Sequence, residues 1–226
     1  MRTVPLSRFG SLAAKPPHAG PAQRIGLLGG SFNPPHAAHR LISEIALRRL
    51  QLDRIWWLVT PGNPLKNGAM PMPLGDRVAA CRTIAADARI TITTFETALP
   101  TPYTAATLDF LRLRYPDTAF VWLMGADCLA EFHRWRQWQH IFETVPVAVV
   151  DRPHWRLRAT ASIAAQRFAR ARWPEARAAQ LPTARAPAWT LLSGPLSPLS
   201  STEVRAGRRA AFAKSVLKLE KAGICA

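Results

Sequence analysis

Two histidines, His36 and His39, lie three residues apart just after a run of glycines. On the first turn of a helix this spacing places both imidazoles on one face. They would then lie beside the free N–H groups and the positive end of the helix dipole. The segment Gly29-Gly30-Ser31 adds backbone N–H groups that a ligand can approach closely, because glycine has no Cβ. These residue types in this order predict an anion site with two imidazole donors.

A strand and a helix must hold these groups in place. The apolar run from Ile25 is bounded by glycines and favours a buried strand. Pro34 and Pro35 suit the approach and first turn of a helix, which we expect from about Ala38 to Leu50. Neither the G-x-G-x-x-G fingerprint nor a G-x-x-x-x-G-K-S/T phosphate loop is present. A metal half-site or a purely structural turn remain as alternatives, although no cysteine or carboxylate ligand set lies nearby.

Residues 29–39 read GGSFNPPHAAH and resemble the G-S/T-F-D/N-P-x-H-x-G-H signature of the nucleotidyltransferase superfamily. The segment departs from the signature at Ala38, where the family usually has glycine. The resemblance implies a Rossmann-like parallel α/β sheet with helices on both faces. It also implies catalytic roles for His36 and His39 and a substrate contact for Asn33. The ATP ligands that it implies in this segment are Gly30, Ser31, Phe32, His36 and His39.

Two other segments carry further candidate phosphate ligands. Lys66 follows a strand expected over residues 54–60, and the superfamily has a lysine there that reaches the triphosphate. The resemblance therefore implies a catalytic and substrate-binding Lys66, with a solvated loop lysine as the alternative. Residues 199–205, LSSTEVR, resemble the I-S-S-T-x-I/V-R motif of the same superfamily. In a chain without the other motifs of the superfamily, this segment would be interpreted as an ordinary capped helix start. The motif adds these ATP ligands, the last of them also catalytic: Ser200, Ser201, Thr202 and Arg205.

The segment from Tyr103, YTAATL, opens a helix that Thr104 could cap. A S-Y-T-x-x-T-L segment after an acidic residue is typical of nicotinate-nucleotide adenylyltransferases, although this chain has Pro102 in place of the serine. In that family the backbone N–H groups of the Tyr-Thr pair hold the pyridine carboxylate. The resemblance therefore assigns substrate binding to Tyr103 and Thr104.

Residues 125–135, GADCLAEFHRW, match the G-A-D-x-L-x-x-F-x-x-W segment of the same family. A carboxylate at the carboxyl end of a buried strand is well placed to bond a ribose hydroxyl, which we expect of Asp127. The resemblance implies ATP binding by Gly125 and Asp127, and substrate binding by Asp127 as well. The family's tryptophan stacks on the pyridine ring, and the resemblance gives that role to Trp135, with Trp138 packing or at the rim.

Helix-sized segments alternate with short strands along the chain, which predicts βαβ units and a parallel sheet. We expect one domain over residues 25–226. Residues 1–24 have no acidic residue and faintly resemble a transit peptide, but their prolines interrupt any amphipathic helix, so we expect a disordered tail there. Beyond the segments named above, strands are predicted over residues 89–93, 119–124, 145–150 and 188–192, and helices over residues 74–86, 159–172 and 206–226. The helix over residues 159–172 is rich in arginine and is expected on the surface.

The chain carries a formal charge of +16, which favours anionic partners without choosing among nucleotides, nucleic acids and membranes. Three cysteines without a C-x-x-C spacing suit a reducing compartment, so we expect a cytoplasmic protein. No apolar run approaches the length of a membrane span. We expect neither a membrane nor a nucleic acid as partner, and the oligomeric state is not indicated.

The resemblance implies transfer of the adenylyl group of ATP to nicotinate mononucleotide, giving nicotinate adenine dinucleotide and pyrophosphate in NAD biosynthesis. Mg²⁺ would be held mainly by substrate phosphates rather than by protein ligands. Nicotinamide mononucleotide, phosphopantetheine or another phosphate is the alternative acceptor. A basic nucleic-acid-binding protein is the alternative from another class, because arginine and tryptophan together can bind single strands.

Overall fold

The computed structural model describes residues 15–61, 72–101 and 103–194. Six parallel strands form one sheet in the order β3-β2-β1-β4-β5-β6. Their bounds are β1 Arg24–Gly30, β2 Arg54–Val59, β3 Ile90–Thr93, β4 Ala119–Gly125, β5 Val147–Val150 and β6 Trp189–Leu192. The chain builds the sheet outward in one direction from β1 to β3 and then in the other from β4 to β6. The strand order therefore reverses between β1 and β4, as in a Rossmann-like sheet.

Helices cover both faces of this sheet, because successive strand residues point to opposite sides. The α-helices are α1 Ala37–Arg49, α2 Leu74–Ile84, α3 Thr104–Arg114, α4 Ala126–Glu131, α5 Trp138–Thr144, α6 Arg156–Thr160 and α7 Ile163–Arg167. Trp56 packs in the cluster that includes residues of α3 and α5, whereas its neighbour Trp57 packs in the cluster that includes residues of α1 and α2. Both indoles are fully buried. The predicted single α/β domain with a parallel sheet and helices on both faces is confirmed.

The predicted helix over residues 159–172 is wrong. This segment contains the end of α6, the short helix α7 and a 3-10 turn over Ala169–Ala171. Ser162 interrupts the run, because its hydroxyl accepts the Ala165 N–H at 3.2 Å and so caps the start of α7. The segment is also not confined to the surface, since Ala164 is fully buried.

Helix α3 begins as predicted, but Tyr103 rather than Thr104 is its N-cap residue. The segment Trp173 to Pro187 contains a 3-10 helix over Glu175–Thr183. Its Leu181 is fully buried against the face that α1 covers. The predicted helix over residues 206–226 lies outside the described residues.

Residues 15–23 precede β1 without helix or strand, yet they are tied to the loop before β4. The Ala22 N–H donates to the Asp117 carbonyl at 2.8 Å. The Tyr115 hydroxyl donates to the Pro17 carbonyl at 3.0 Å. The strand itself begins one residue earlier than predicted, at Arg24. The expectation of a disordered tail stays a prediction for residues 1–14, which lie outside the described part of the chain.

A carboxyl group lies in the interior between β3 and α3. The Glu96 side chain is 4% exposed, and its Oε1 accepts a hydrogen bond from the Thr107 hydroxyl at 2.7 Å. Burial raises the pKa of Glu96 from 4.5 to about 7, and the bond from Thr107 opposes this shift only in part. The folded state therefore keeps the proton over a pH range in which the unfolded chain has lost it.

This difference makes the free energy of unfolding fall as pH rises from about 4.5 towards 7, the two pKa values of Glu96 in the unfolded and folded states. The substitution Glu96→Gln keeps an acceptor for Thr107 and removes the titration. We expect the wild-type chain to lose on the order of 3 kcal/mol more stability than Glu96→Gln between pH 5 and pH 8. Urea unfolding of both proteins across this range measures the difference, and parallel pH profiles would contradict it.

Gly29 lies where β1 meets a tryptophan of β4. A Cβ at Gly29 would lie 2.5 Å from Cη2 of Trp122, whereas a Cβ at Gly75 in α2 meets nothing within 4 Å. We expect Gly29→Ala to lower the free energy of unfolding by about 1–3 kcal/mol through overpacking. Gly75→Ala should leave it unchanged or raise it by up to about 1 kcal/mol. Urea denaturation of the pair measures this contrast, and equal effects would refute the packing argument.

Candidate active site

The carboxyl ends of four strands lie side by side. The register pairs Gly30 with Val59 and Gly125 with Val150. Leu28 of β1 pairs with Leu123 of β4, so Gly30 and Gly125, each two residues further on, lie level with each other. Ligands of open parallel sheets bind beyond the carboxyl ends where the strand order reverses. The two glycine turns expected from the sequence therefore meet at the place where this fold binds ligands.

The two histidines stand together at the start of α1. His36 is the N-cap residue and His39 is the third residue of the helix, with ring centroids 3.9 Å apart. The backbone N–H of His36 donates to Nδ1 of His39 at 3.2 Å. Because Nδ1 is an acceptor here, a neutral His39 carries its proton on Nε2. The expectation that both imidazoles share one face is met, and His39 has a defined donor nitrogen.

A buried tryptophan anchors this first turn of α1. The Trp57 Nε1–H donates to the Ser43 hydroxyl oxygen at 2.8 Å, and the Ser43 hydroxyl donates to the His39 carbonyl at 2.9 Å. The ring of Phe32 lies against both, with its centroid 4.6 Å from that of His39 and 5.1 Å from that of Trp57. The position of His39 therefore depends on the packing of β2 against α1.

Phe32 follows the glycine turn with a left-handed backbone, at φ 44°. The whole residue is 1% exposed, so its ring lies in the interior. A non-glycine residue in this region costs on the order of 1 kcal/mol or more and persists where packing holds it. The contacts of its ring with Trp57 and His39 provide that packing.

Asn33 joins the glycine turn to the start of α2. Its Oδ1 accepts the Met72 N–H at 3.2 Å, and the peptide bond that follows it, Asn33–Pro34, is cis. The residue is thus engaged in shaping the turn. Its expected contact with a substrate stays a prediction.

Asp127 lies in the first turn of α4, next to a glycine that leaves room for it. A Cβ at Gly125 would overlap Oδ1 of Asp127 and would also lie 3.1 Å from Cδ of Arg152. The guanidinium of Arg152, just after β5, donates to Oδ2 of Asp127. The carboxylate is therefore held by an arginine from the neighbouring strand, and its side chain stays 28% exposed.

The start of α3 and Trp135 form the predicted pyridine side of the site. The first-turn N–H groups of any helix have no acceptor within the helix, which is the property expected of the Tyr103-Thr104 pair. The guanidinium of Arg136 stacks over the Tyr103 ring at 4.7 Å. Trp135 is partly buried, with its ring centroid 4.9 Å from that of Phe132, whereas Trp138 packs edge-on against Phe168.

Two arginines at this edge were missed by sequence reasoning. Arg152 follows a buried strand at its carboxyl end, and the same criterion that selected Asp127 could have selected it. Arg77 is fully buried in α2 and donates to backbone carbonyls around the glycine turn. The sequence gives one local indication of this burial: Cys81 lies four residues further on, so Arg77 and Cys81 share the inner face of a helix that has few apolar residues.

Several predicted ligands lie outside the described residues, namely Lys66, Ser200, Ser201, Thr202 and Arg205. Within residues 15–61, 72–101 and 103–194, no group of three His, Cys, Asp or Glu side chains is arranged to hold a metal ion. In the same part of the chain no helix is long and apolar enough to cross a membrane.

The chain matches known proteins over most of its length. The model of a family described as cytidylyltransferase-like matches residues 27–207. A Bradyrhizobium protein named probable nicotinate-nucleotide adenylyltransferase is 58% identical over 182 residues, which cover 80% of this chain and 95% of that protein. A protein of Methylorubrum extorquens with the same name is 56% identical over 182 residues, covering 80% of this chain and 98% of that protein.

Among solved structures, the Plasmodium falciparum nicotinic acid mononucleotide adenylyltransferase complexed with NaAD superposes with a TM-score of 0.61. That match covers 81% of this chain and 83% of the other at 18% identity, so it supports the fold alone. The bacterial relatives, matched over nearly their whole length, carry the assignment further. The chain belongs to the nicotinate-nucleotide adenylyltransferase family, within the cytidylyltransferase-like group.

Proposed function

We propose that this chain transfers the adenylyl group of ATP to nicotinate mononucleotide, giving nicotinate adenine dinucleotide and pyrophosphate in NAD biosynthesis. The observation that carries the proposal is the His36–His39 pair at the start of α1, beside the β1 and β4 glycine turns. The full-length relatives named for this activity support the same conclusion.

The reaction is a substitution at the α-phosphorus of ATP. A phosphate oxygen of the mononucleotide forms the new bond to phosphorus, and the bond to the oxygen that bridges to the β-phosphate breaks. Pyrophosphate leaves with that electron pair. Because both reacting groups belong to the substrates, no protein nucleophile is needed. Catalysis then consists of in-line positioning and stabilisation of charge on the phosphates, and orientation can supply about 7–11 kcal/mol.

His39 is the best-defined donor for this charge. Its Nδ1 accepts the His36 N–H, so a neutral His39 carries its proton on Nε2 and donates from that nitrogen. The helix N-terminus beside it adds backbone N–H groups and positive potential. We therefore assign the transferring phosphates to His36, His39 and the glycine turn, with Lys66 and Arg205 as the further predicted cations.

Asp127 is the proposed acceptor for a ribose hydroxyl. Its side chain is partly exposed at the carboxyl end of β4, and Arg152 holds one oxygen of the carboxylate. An ionised carboxylate accepts two or more hydrogen bonds at each oxygen, so this ion pair leaves capacity for a hydroxyl donor.

The start of α3 distinguishes the acid from the amide. Two converging N–H donors favour a carboxylate, since an amide would turn its own NH₂ towards them. Trp135 is the proposed stacking surface for the pyridine ring. We therefore propose nicotinate mononucleotide rather than nicotinamide mononucleotide as the acceptor.

We propose that Mg²⁺ binds together with the substrates. We propose that phosphate oxygens and water hold the ion, as is usual for Mg²⁺ where substrate phosphates are available. When bound, it neutralises part of the phosphate charge. A cytoplasmic location is likewise proposed, supported by the buried free thiol of Cys81.

The reaction itself gives the first test. With ATP and Mg²⁺, we expect pyrophosphate release to depend on nicotinate mononucleotide and to be much slower with the nicotinamide analogue. Release with neither acceptor by a folded protein would refute the proposed activity. Salt-dependent oligonucleotide binding without any turnover would favour the nucleic-acid-binding alternative instead.

Substitution of His39 tests the site. His39→Ala should lower kcat by about 10²–10³-fold, as removal of an oxyanion donor does, equivalent to about 2.7–4 kcal/mol. The free energy of unfolding should change by no more than about 1.5 kcal/mol, the value of one hydrogen bond. His140→Ala, which removes a partly exposed histidine that pairs with Asp109, serves as the control. Unchanged turnover in folded His39→Ala would remove His39 from the mechanism.

A further inference from the structure

Arg77 lies on the first turn of α2 with its side chain 2% exposed. Its guanidinium donates to four backbone carbonyl oxygens. The acceptors are Ser31 at 2.6 Å and Thr60 at 2.7 Å, both from Nη1, Met72 at 3.0 Å from Nε, and Pro61 at 3.2 Å from Nη2. The guanidinium thus uses most of its donors on the main chain.

Among the described residues, the charge of Arg77 has no carboxylate counterpart. Throughout the described ranges, no Asp or Glu lies within ion-pair distance of it. Desolvation by burial holds the pKa of Arg77 below its usual value. Buried cations are normally paired, because removing the charge from water is unfavourable. The four hydrogen bonds of Arg77 compensate for part of this cost. We therefore look for its role in the backbone segments that these bonds hold.

These bonds join three separate pieces of chain at the carboxyl edge. Ser31 belongs to the glycine turn after β1, Thr60 and Pro61 follow β2, and Met72 precedes α2. Pro61 and Met72 also flank residues 62–71, which contain Lys66. One planar side chain therefore fixes the turn after β1 relative to the end of β2 and the start of α2.

The bond to Ser31 also orients a donor. In a trans peptide the C=O and the N–H that follows it point in opposite directions. Because the Ser31 carbonyl points to the buried Arg77, the Phe32 N–H of the same peptide unit points away from it. Phe32 has a left-handed backbone, and rotating the peptide unit between Ser31 and Phe32 would also move the buried Phe32 ring.

We propose that Arg77 is a positioning residue for the phosphates of ATP, acting through the Ser31 peptide and the end of β2. The inference rests on the proposed function. This positioning role requires the planar, forked guanidinium group, because the single ammonium group of a lysine cannot reach four carbonyl oxygens. Arg77 has no contact with Trp135 or with the start of α3 among the interactions of the described residues, so the pyridine side of the site should not depend on it.

The test uses Arg77→Lys, which keeps the charge, and Arg77→Gln, which keeps two donors without charge. Arg82→Lys, on the exposed face of the same helix, controls for loss of an arginine from α2. Leu181→Ala controls for lowered stability, because it opens a cavity in the buried core. Steady-state kinetics with each substrate varied, and urea unfolding, are measured for all four variants.

We expect Arg77→Lys and Arg77→Gln to lower kcat/KM for ATP by about 100-fold, as small misplacements of reacting groups do. KM for nicotinate mononucleotide should stay within about threefold. Arg82→Lys and Leu181→Ala should keep both constants. If Arg77→Lys retained kcat/KM for ATP within threefold, the proposal would be overturned. Failure of both Arg77 variants to fold would also overturn it, because the residue would then serve the stability of the fold.

A wild-type chain that released no pyrophosphate with any acceptor would refute the proposed function separately. Calorimetric titration with inorganic pyrophosphate would then decide the role of Arg77. At least tenfold weaker binding by folded Arg77→Lys than by Leu181→Ala supports it, and equal binding overturns it.

Discussion

The parallel register between β1 and β4 is the constraint on which the rest of the site depends. It sets Gly30 level with Gly125, and with them the starts of α1 and α4. A slip by one residue would turn every side chain of a strand to the other face. Trp56 and Trp57 of β2, the other neighbour of β1, are buried on opposite faces of the sheet. The positions of the polar groups at the carboxyl edge thus depend on the packing of the strands in the core.

The polar groups of the site are each held by a residue from a different element. Trp57 of β2 supports His39 through Ser43, and Arg152 after β5 holds the carboxylate of Asp127. Arg77 of α2 holds the carbonyl of Ser31. In each case a group at the carboxyl edge of the sheet is fixed by a side chain with little exposure. Such support limits the rearrangement required during a reaction.

Local patterns in the sequence predicted the histidine pair, the glycine turns and the alternation of strands and helices, because each depends on residues close together in the chain. The contacts that were missed join distant positions, such as Arg77 with Ser31, 46 residues apart, and Arg152 with Asp127, 25 residues apart. The broken helix around Ser162 was missed for a different reason. Its arginines and alanines all favour helix, and one serine cap decided the outcome. The expected roles of Lys66 and residues 200–205 remain predictions.

The groups that we propose to bind ligands at this edge include main-chain N–H groups, in the glycine turn and at the starts of α1 and α3. An amide N–H is present in every residue except proline, so binding by the main chain depends on open space around it as well as on functional groups. Gly125 illustrates this, because the volume that it leaves vacant is what Asp127 and Arg152 occupy. In such an architecture adding a methyl group can do as much harm as deleting a charge. The substitutions that this edge tolerates are therefore limited by volume as well as by chemistry.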